Sequence, residues 1–197
     1  RGSKTSDPAP ALEDSPATAR LREQSAILLG KTTMPEHGWI GVCHSPLSGI
    51  TRNPWNTEHT PGGSTGGGAV AALLGLGVFH LGTDGAGSVR IPAAFTGVVG
   101  MKPTFGLVPK MPGFRGWPTL SVTGPIAESV RDLALALDVM AGPHAADWLS
   151  FPGVSDYRAA VTSPSWDGLR VGYCTDFAPV DDDVRGVRIL TLAADGV

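Results

Sequence analysis

The sequence is poor in charge, cysteine and long apolar runs, and each shortage excludes a class of protein. Charged residues make up 17% of the 197 residues and the formal net charge is -3, which disfavours nucleic acid as the main partner. The two cysteines, Cys43 and Cys174, are far apart and form no CxxC pair, so neither a disulfide framework nor a zinc knuckle is predicted. The longest apolar stretch, residues 69–79, is shorter than the roughly 20 residues of a membrane-spanning helix. We therefore expect a soluble, cytoplasmic protein.

Glycine and proline are abundant instead. The chain contains 27 glycines and 17 prolines, together more than a fifth of its length, which is typical of a loop-rich protein. Because 42% of the residues are hydrophobic, the chain has enough apolar surface for a folded core and is not predicted to be disordered. Its length favours one domain or a large part of one.

The turn residues divide the chain into predicted elements. Residues 1–14 are polar and contain two prolines, which indicates an extended arm. Ser15, Pro16 and Gly30 predict a helix over residues 16–29, and Ser129 and Gly142 bracket another helix, with Val130, Leu133, Leu137 and Met140 facing inward. Residues 69–76 are predicted as a buried helix, and residues 78–83 and 169–173 as strands. The proline-rich residues 31–61 exclude a regular element of any length, and such segments usually line a site or cover a neighbour.

Two glycine-rich loops, residues 62–68 and 82–88, enclose a predicted helix and strand. Glycines around a hydroxyl bind phosphate, present a nucleophile or form a turn without chemistry. Neither loop contains the lysine of a GxxxxGK[ST] phosphate loop. A dinucleotide fingerprint is also disfavoured, because residues 66–68 follow a proline-rich coil instead of a strand.

The nucleophile interpretation depends on two serines. Ser88 follows Gly85, Ala86 and Gly87, where consecutive backbone N–H groups can converge on a carbonyl oxygen as an oxyanion hole. Ser64 lies in the other loop, and an isolated serine needs a base and a proton relay before it reacts. From the residues alone, a turn without chemistry remains the more common role for either serine.

Three stretches of this sequence carry a longer pattern: GGSTGGGA at residues 62–69, LGTDGAGSVRIPAAF at residues 81–95 and GVVGMKPT at residues 97–104. Together they strongly resemble the amidase signature family. Shorter matches at residues 30–32, 35–36, 53–55 and 124–127 extend the resemblance over about residues 1–175. It implies an α/β fold with a mixed β-sheet sandwiched between helices, present here in part.

The resemblance also implies a catalytic mechanism. In that family an amide is hydrolysed through a serine nucleophile, a second serine that follows a cis peptide bond, and a lysine, which is a variant of nucleophile and base chemistry. By resemblance, Ser88 is the nucleophile and Ser64 is the cis-serine that relays protons. Thr65 stands where the family usually has another serine.

The residues around Ser88 have implied roles as well. Asp84 and Arg90 are expected to form an internal ion pair that supports the loop. Ala86 occupies a position that is usually glycine, where a positive φ would be strained. The implied oxyanion-hole N–H groups belong to Gly85, Ala86, Gly87 and Ser88.

The catalytic lysine has no counterpart in the chain. The resemblance places it upstream of Arg1, and it matches none of Lys4, Lys31, Lys102 and Lys110. Lys31 and Lys102 match other family positions, where a solvated or carbonyl-capping side chain is expected. We therefore expect residues 1–197 to form a single incomplete domain, with an arm over 1–14, a signature core over 15–143, and a connection with a following strand region over 144–197.

The predicted function is amide hydrolysis by acyl transfer, without a cofactor or metal. A small-molecule amide is the expected substrate, neither nucleic acid nor a membrane is an expected direct partner, and the sequence leaves a homodimer open. Two alternatives remain. The missing lysine is consistent with a non-catalytic binding or assembly domain, and the same serines serve the amidotransferase component of a tRNA-dependent complex.

The other reactive residue types have simpler interpretations. The five histidines show no spacing typical of a serine hydrolase triad, which is recognised by geometry. Residues 181–183 are three consecutive aspartates without an EF-hand pattern, which indicates a solvated turn. Five aromatic residues in loops either pack in the core or shape a substrate channel: Trp39, Trp55, Phe114, Trp117 and Trp148.

Overall fold

The structure is a computed structural model that describes residues 1–111, 117–153, 156–165, 167–168, 171–172 and 188–189. The chain divides into two compact units, residues 1–162 and residues 163–197. The first unit contains five α-helices among its described residues. They are α1 (Pro16–Glu23), α2 (Gly66–Leu73), α3 (Arg90–Thr96), α4 (Val130–Met140) and α5 (Tyr157–Thr162).

The strands of the first unit form two sheets. A small hairpin pairs β1 (His44–Ser45) with β2 (Gly49–Ile50). The larger sheet is antiparallel, with β5 (Val122–Ala127) between β3 (Phe79–Asp84) and β4 (Val99–Gly100). In the second unit, β6 (Val171–Gly172) pairs in parallel with β7 (Arg188–Ile189). The strand predicted over residues 169–173 is present at 171–172, and its other residues lie outside the described part of the chain.

The larger sheet is sandwiched between helices, as the predicted fold requires. Phe79 and Leu81 of β3 pack against the core formed by α1 and α4. His80 pairs directly with Ile126 of β5, and Ile126 packs against α2. Because side chains alternate between the two faces of a strand, α1 and α4 cover one face and α2 covers the other. The α/β fold class is confirmed.

Helix α1 begins at the predicted residue but ends at Glu23, so the prediction of a helix to residue 29 is wrong. Ser25 adopts a left-handed φ of +63°, and the Ala26 N–H donates to Leu21 O at 2.9 Å. This closure of a helix C-terminus is usually made with glycine at the left-handed position. Ile27, an apolar residue within the predicted helix, is exposed.

Helix α2 runs three residues ahead of its prediction, over residues 66–73 instead of 69–76. Gly75 adopts a φ of +65°, and Leu76 N–H donates to Ala71 O, so the same type of closure ends the helix early. At the other end, glycines 66–68 belong to the helix, and neighbouring segments approach Gly66 and Gly67 too closely for a side chain. The strand predicted over residues 78–83 is confirmed to within one residue.

Helix α4 confirms the predicted cap. The Ser129 side chain accepts a hydrogen bond from the Asp132 N–H at 3.1 Å, which satisfies one of the free donors of the first turn. Leu133, Leu137 and Met140 are buried as predicted, whereas Val130 is exposed. Val130 is the first residue of the helix, where the chain still runs along the surface.

The helix pair α1–α4 is joined by Arg20. Its guanidinium donates to the carbonyl oxygens of residues 140–143 at 2.6–3.1 Å. These carbonyls lack helical partners, and a positive charge is favourable at a helix C-terminus. The bonds hold α1 against the C-terminal end of α4.

The long segment over residues 31–61 forms only a short 3-10 turn and the β1–β2 hairpin, which confirms that it holds no extended regular element. The beginning of the arm lies against this segment. His37 N–H donates to Arg1 O at 2.8 Å, and a Cβ on the buried Gly2 would lie 2.7 Å from Met34 O. Part of the arm is therefore packed.

Candidate active site

Asp84 organises the loop that carries Ser88. Its carboxylate is fully buried and accepts hydrogen bonds from the Gly87 N–H at 2.7 Å and the Val89 N–H at 3.3 Å, on either side of Ser88. The Arg90 guanidinium donates to both carboxylate oxygens, at 2.9 and 3.0 Å. The predicted ion pair between Asp84 and Arg90 is present, and it joins the end of β3 to the start of α3.

The charge on Asp84 is stabilised despite its burial. Burial alone raises the pKa of the carboxyl group, but the hydrogen bonds from Arg90 and Gly87 and the positive charge of Arg90 outweigh it and hold the pKa below its usual value. Asp84 is therefore an anchor for backbone N–H groups and not a proton donor at neutral pH.

The backbone of the loop explains why alanine is accepted at position 86. Ala86 is not among the described non-glycine residues with positive φ, and the left-handed conformation falls on Gly87, at +114°. The strain anticipated for Ala86 is therefore absent. A Cβ on Gly87 would also lie 2.8 Å from Ile91 Cδ1, so glycine is required there for both reasons.

Ser64 lies in the glycine-rich loop over residues 62–68, directly beside the loop of Ser88. The peptide bond between Gly63 and Ser64 is cis, as the resemblance implies, and the Ser64 side chain is buried. The Thr65 N–H donates to Ser88 O at 3.0 Å, which ties the two loops together. The structure thus brings together the two serines that the sequence places 24 residues apart, while their chemical roles stay predictions.

Thr65 has a packing role that the sequence alone does not reveal. Its side chain lies on Gly82 of β3, so closely that a Cβ at position 82 would overlap Thr65 Oγ1. The Thr65 carbonyl accepts the Ala69 N–H at 3.0 Å and so begins α2. Thr65 therefore links the Ser64 loop to the strand that leads to Asp84.

Residues 38–42 cross over the Ser64 loop, which sequence reasoning did not predict. A Cβ on Gly38 would lie 3.3 Å from Ser64 Oγ, and a Cβ on Gly63 would lie 2.8–2.9 Å from the carbonyl oxygens of Ile40 and Val42. The only sequence indication was that a long irregular segment usually lines a site. This segment forms one wall beside the Ser64 hydroxyl.

Two of the loop tryptophans meet at this wall. Trp117 lies on the Ser88 loop, since a Cβ on Gly85 would be 2.7 Å from Trp117 Cε3. Trp39 follows Gly38, and its ring centroid is 5.0 Å from that of Trp117. Neither ring is buried in the core.

A third tryptophan supports α3 instead. Trp55 Nε1 donates to Thr96 O and Asn53 Nδ2 donates to Phe95 O, both at 2.8 Å. These bonds satisfy carbonyl groups at the C-terminal end of α3, which otherwise lack partners. The residues at 53–55 thus fix the helix that begins with Arg90.

The lysines that match other family positions behave as predicted. Lys102 Nζ donates to Pro103 O at 2.9 Å, and Lys31 is exposed.

Burial lowers the pKa of His80, whose Nε2 is buried with no hydrogen-bond partner in the described part of the chain, so this histidine is neutral at neutral pH. Phe114, Cys174 and the aspartates at 181–183 lie outside the described residues.

Comparisons with known proteins agree on one family. The family model described as Amidase matches residues 1–189. An acylamidase from Rhodococcus erythropolis is 43% identical over 180 residues, which cover 89% of this chain and 37% of the acylamidase. A glutamyl-tRNA(Gln) amidotransferase subunit from Syntrophobacter fumaroxidans (strain DSM 10017 / MPOB) is 44% identical over 160 residues, which cover 81% of this chain and 33% of that protein.

Solved structures give the same result. A substrate complex of 6-aminohexanoate cyclic dimer hydrolase superimposes with a TM-score of 0.78 at 38% identity, over 83% of this chain and 34% of the hydrolase. A bacterial aryl acylamidase of the amidase signature family gives a TM-score of 0.76 at 34% identity, over 83% and 34% of the two chains. The chain therefore spans about a third of the length of these four proteins. In the described part of the chain, no helix has the length and apolar character to cross a membrane.

Proposed function

This chain belongs to the amidase family, and from that premise we propose that it carries the nucleophile and proton-relay loops of an enzyme that hydrolyses amides. The observation that supports the proposal best is the hydrogen bond from Thr65 N–H to Ser88 O, which holds the Ser64 loop beside the Ser88 loop. Nucleophilic catalysis by serine requires such a juxtaposition, because the hydroxyl proton must leave as the new bond forms.

The proposed reaction has two stages. Ser88 Oγ attacks the amide carbonyl carbon and loses its proton through Ser64, the C–N bond breaks, and the amine leaves with a proton. Water then attacks the acyl ester on Ser88, releases the acid and restores the serine. We assign the base that first accepts a proton from Ser64 to the family's lysine, which has no counterpart among the lysines of this chain.

We assign the oxyanion to backbone N–H groups of the Ser88 loop. Of the four predicted donors, the Gly87 N–H already donates to Asp84 at 2.7 Å. The assignment therefore concentrates on the N–H groups of Gly85, Ala86 and Ser88. Such preorganised donors stabilise the charge that develops on the carbonyl oxygen in the transition state.

The test is a serine replacement in the complete natural polypeptide that contains these residues. We expect Ser88→Ala to abolish the release of ammonia or amine from simple amides and to abolish labelling by a fluorophosphonate probe. Ser48→Ala, which changes an exposed serine in the turn between β1 and β2, is the matched control and should retain both. Amide turnover by the Ser88→Ala protein would refute the assignment, and a wild-type protein that neither turns over amides nor takes the label would favour a non-catalytic binding or assembly domain.

A second candidate function is supported by the similarity to amidotransferases. Several glutamyl-tRNA(Gln) amidotransferase subunits are 38–44% identical to this chain. In that case the same serines would hydrolyse an amide within a tRNA-dependent complex. Copurification of partner chains, together with amide hydrolysis that depends on them, would distinguish this function from that of an independent amidase.

We further propose that residues 1–197 are part of a single amidase domain, with the arm, core and connecting region predicted from the sequence. The packing of the arm against residues 34–37 supports this organisation. A cytoplasmic location is also proposed, supported by the free thiol of the buried Cys43. We also propose a small-molecule amide as the substrate, which membership of the amidase family supports.

A further inference from the structure

The two tryptophans at the candidate site occupy a position that core packing does not explain. Trp39 is 69% exposed and Trp117 is 46% exposed. Their ring centroids are 5.0 Å apart and the ring planes are inclined by 39°. Large aromatic rings gain stability from burial, and the described residues leave much of this contacting pair uncovered.

Trp117 packs against the Ser88 loop, and Trp39 belongs to the segment that lies beside the Ser64 loop. Trp117 lies against Gly85, the residue that begins the Ser88 loop, and Trp39 is bonded to Gly38, which lies beside the Ser64 hydroxyl. The pair therefore spans the two loops. A substrate whose amide carbonyl reaches Ser88 would place its neighbouring groups near these rings.

The backbone of Trp117 is held in an uncommon conformation. Its φ is +47°, which is unusual for a bulky residue. The Leu120 and Ser121 N–H groups both donate to Trp117 O, at 3.2 and 3.1 Å. These two bonds hold the backbone of Trp117, and the ring itself packs against Gly85.

We propose that Trp39 and Trp117 form a binding subsite for a flat apolar group beside the scissile amide, and that the pair selects aromatic amides over saturated ones of the same size. The inference rests on the proposed function, because the position of the amide is set by Ser88. Flat groups match this surface because aromatic pairs prefer offset-stacked or tilted arrangements at centroid distances of about 4.5–7 Å.

The test compares matched flat and saturated substrates in the complete natural polypeptide. Benzamide and cyclohexanecarboxamide differ in the flatness of the acyl group, and acetanilide and N-cyclohexylacetamide differ in the same way on the amine side. We expect Trp39→Leu and Trp117→Leu to lower kcat/KM about tenfold for at least one flat substrate and to leave its saturated partner within about twofold. Trp39→Phe should retain most of the preference, and Trp148→Leu, which changes an exposed tryptophan in another loop, should retain all of it.

The two sides of the amide are distinguished by which flat substrate loses activity, since benzamide reports the acyl side and acetanilide the amine side. Equal losses for the flat and saturated members of both pairs, or no loss for any of them, would overturn the inference. Melting temperatures of the variants identify any that fail to fold, and Trp39→Phe then provides the comparison at that position.

A binding measurement separates this inference from the proposed function. In a Ser88→Ala background, calorimetry with benzamide and acetanilide should show about tenfold weaker binding of at least one of them when Trp39→Leu or Trp117→Leu is added. That result with a wild-type protein that hydrolyses no amide would retain the subsite and reject the proposed function. Amide hydrolysis without any preference for flat substrates would retain the proposed function and reject the subsite.

Discussion

The replacement Asp84→Asn tests how the Ser88 loop is held. The carboxylate accepts five hydrogen bonds, two at Oδ1 from Gly87 and Arg90 and three at Oδ2 from Val89 and Arg90. Asparagine keeps one acceptor oxygen and replaces the other with an NH₂ group, which cannot accept. If the asparagine oxygen takes the place of Oδ1, the fully buried Val89 N–H faces a donor and loses its partner.

The expected loss of stability follows from these bonds. A buried donor left without a partner costs about 1–3 kcal/mol, and hydrogen bonds to charged groups contribute about 1.5–3 kcal/mol each. The second figure must be reduced here, because the Arg90 side chain is 52% exposed and water replaces part of its interaction. We therefore expect Asp84→Asn to lower the free energy of unfolding by about 2–4 kcal/mol.

Two other aspartates provide graded controls. The carboxylates of Asp84, Asp138 and Asp14 are 0%, 14% and 37% exposed, and each is paired with an arginine at 2.7–2.9 Å. Since exposure weakens ion pairs, we expect the cost of an asparagine replacement to fall in that order, to well under 1 kcal/mol at Asp14. Urea denaturation of the three variants measures the order, and an Asp84→Asn cost no greater than that of Asp14→Asn would refute the reasoning.

Three further outcomes are expected. The pKa of Asp84 is lowered in the folded chain from its ordinary value of 3.8, so its charge stabilises the fold above that pH. The stability difference between wild type and Asp84→Asn should therefore be constant above about pH 5 and shrink as the pH falls through the lower folded-state pKa. Gly67→Ala places a Cβ 2.5 Å from Thr33 N and should cost about 1–3 kcal/mol in urea denaturation, whereas Gly41→Ala, with no atom nearer than 3.9 Å, should change stability by less than about 0.5 kcal/mol. Ser129→Ala removes the cap of α4 and should lower the melting temperature by an amount equivalent to about 1 kcal/mol, with Ser129→Thr restoring most of it.

Local sequence patterns predicted the elements whose ends are set by their own residues. The start of α4 was predicted because the Ser129 side chain itself accepts the Asp132 N–H. The end of α1 was missed because a serine, Ser25, takes the left-handed position that usually belongs to glycine. The core packing of Ala26, which follows it, is a tertiary contact, and no local pattern reports such contacts.

The candidate site also combines features set by neighbouring residues in the sequence with features set by tertiary contacts. The groups that hold the Ser88 loop, from Asp84 to Arg90, lie within seven consecutive residues, so a short motif contains both the loop and its support. The wall beside Ser64 comes from residues 38–42, more than twenty positions earlier, and its contacts are made by glycine and by carbonyl oxygens. Such contacts have no side-chain pattern, which is why the sequence identified Ser64 but not the wall beside it.

The contrast between the two loops has a mechanistic consequence. If the Ser88 loop is held locally, changes in residues 38–42 should leave the position of this loop nearly intact. They should slow every step in which Ser64 is proposed to relay a proton, including the attack of Ser88 on a fluorophosphonate. The placement of Gly38 against Ser64 Oγ, and of Gly63 against the Ile40 and Val42 carbonyls, makes the proton relay the more distributed part of the site. The bond from Thr65 N–H to Ser88 O joins the loops of the proposed nucleophile and the proposed relay. Distortions of the wall that spare this bond should slow proton transfer more than they displace Ser88.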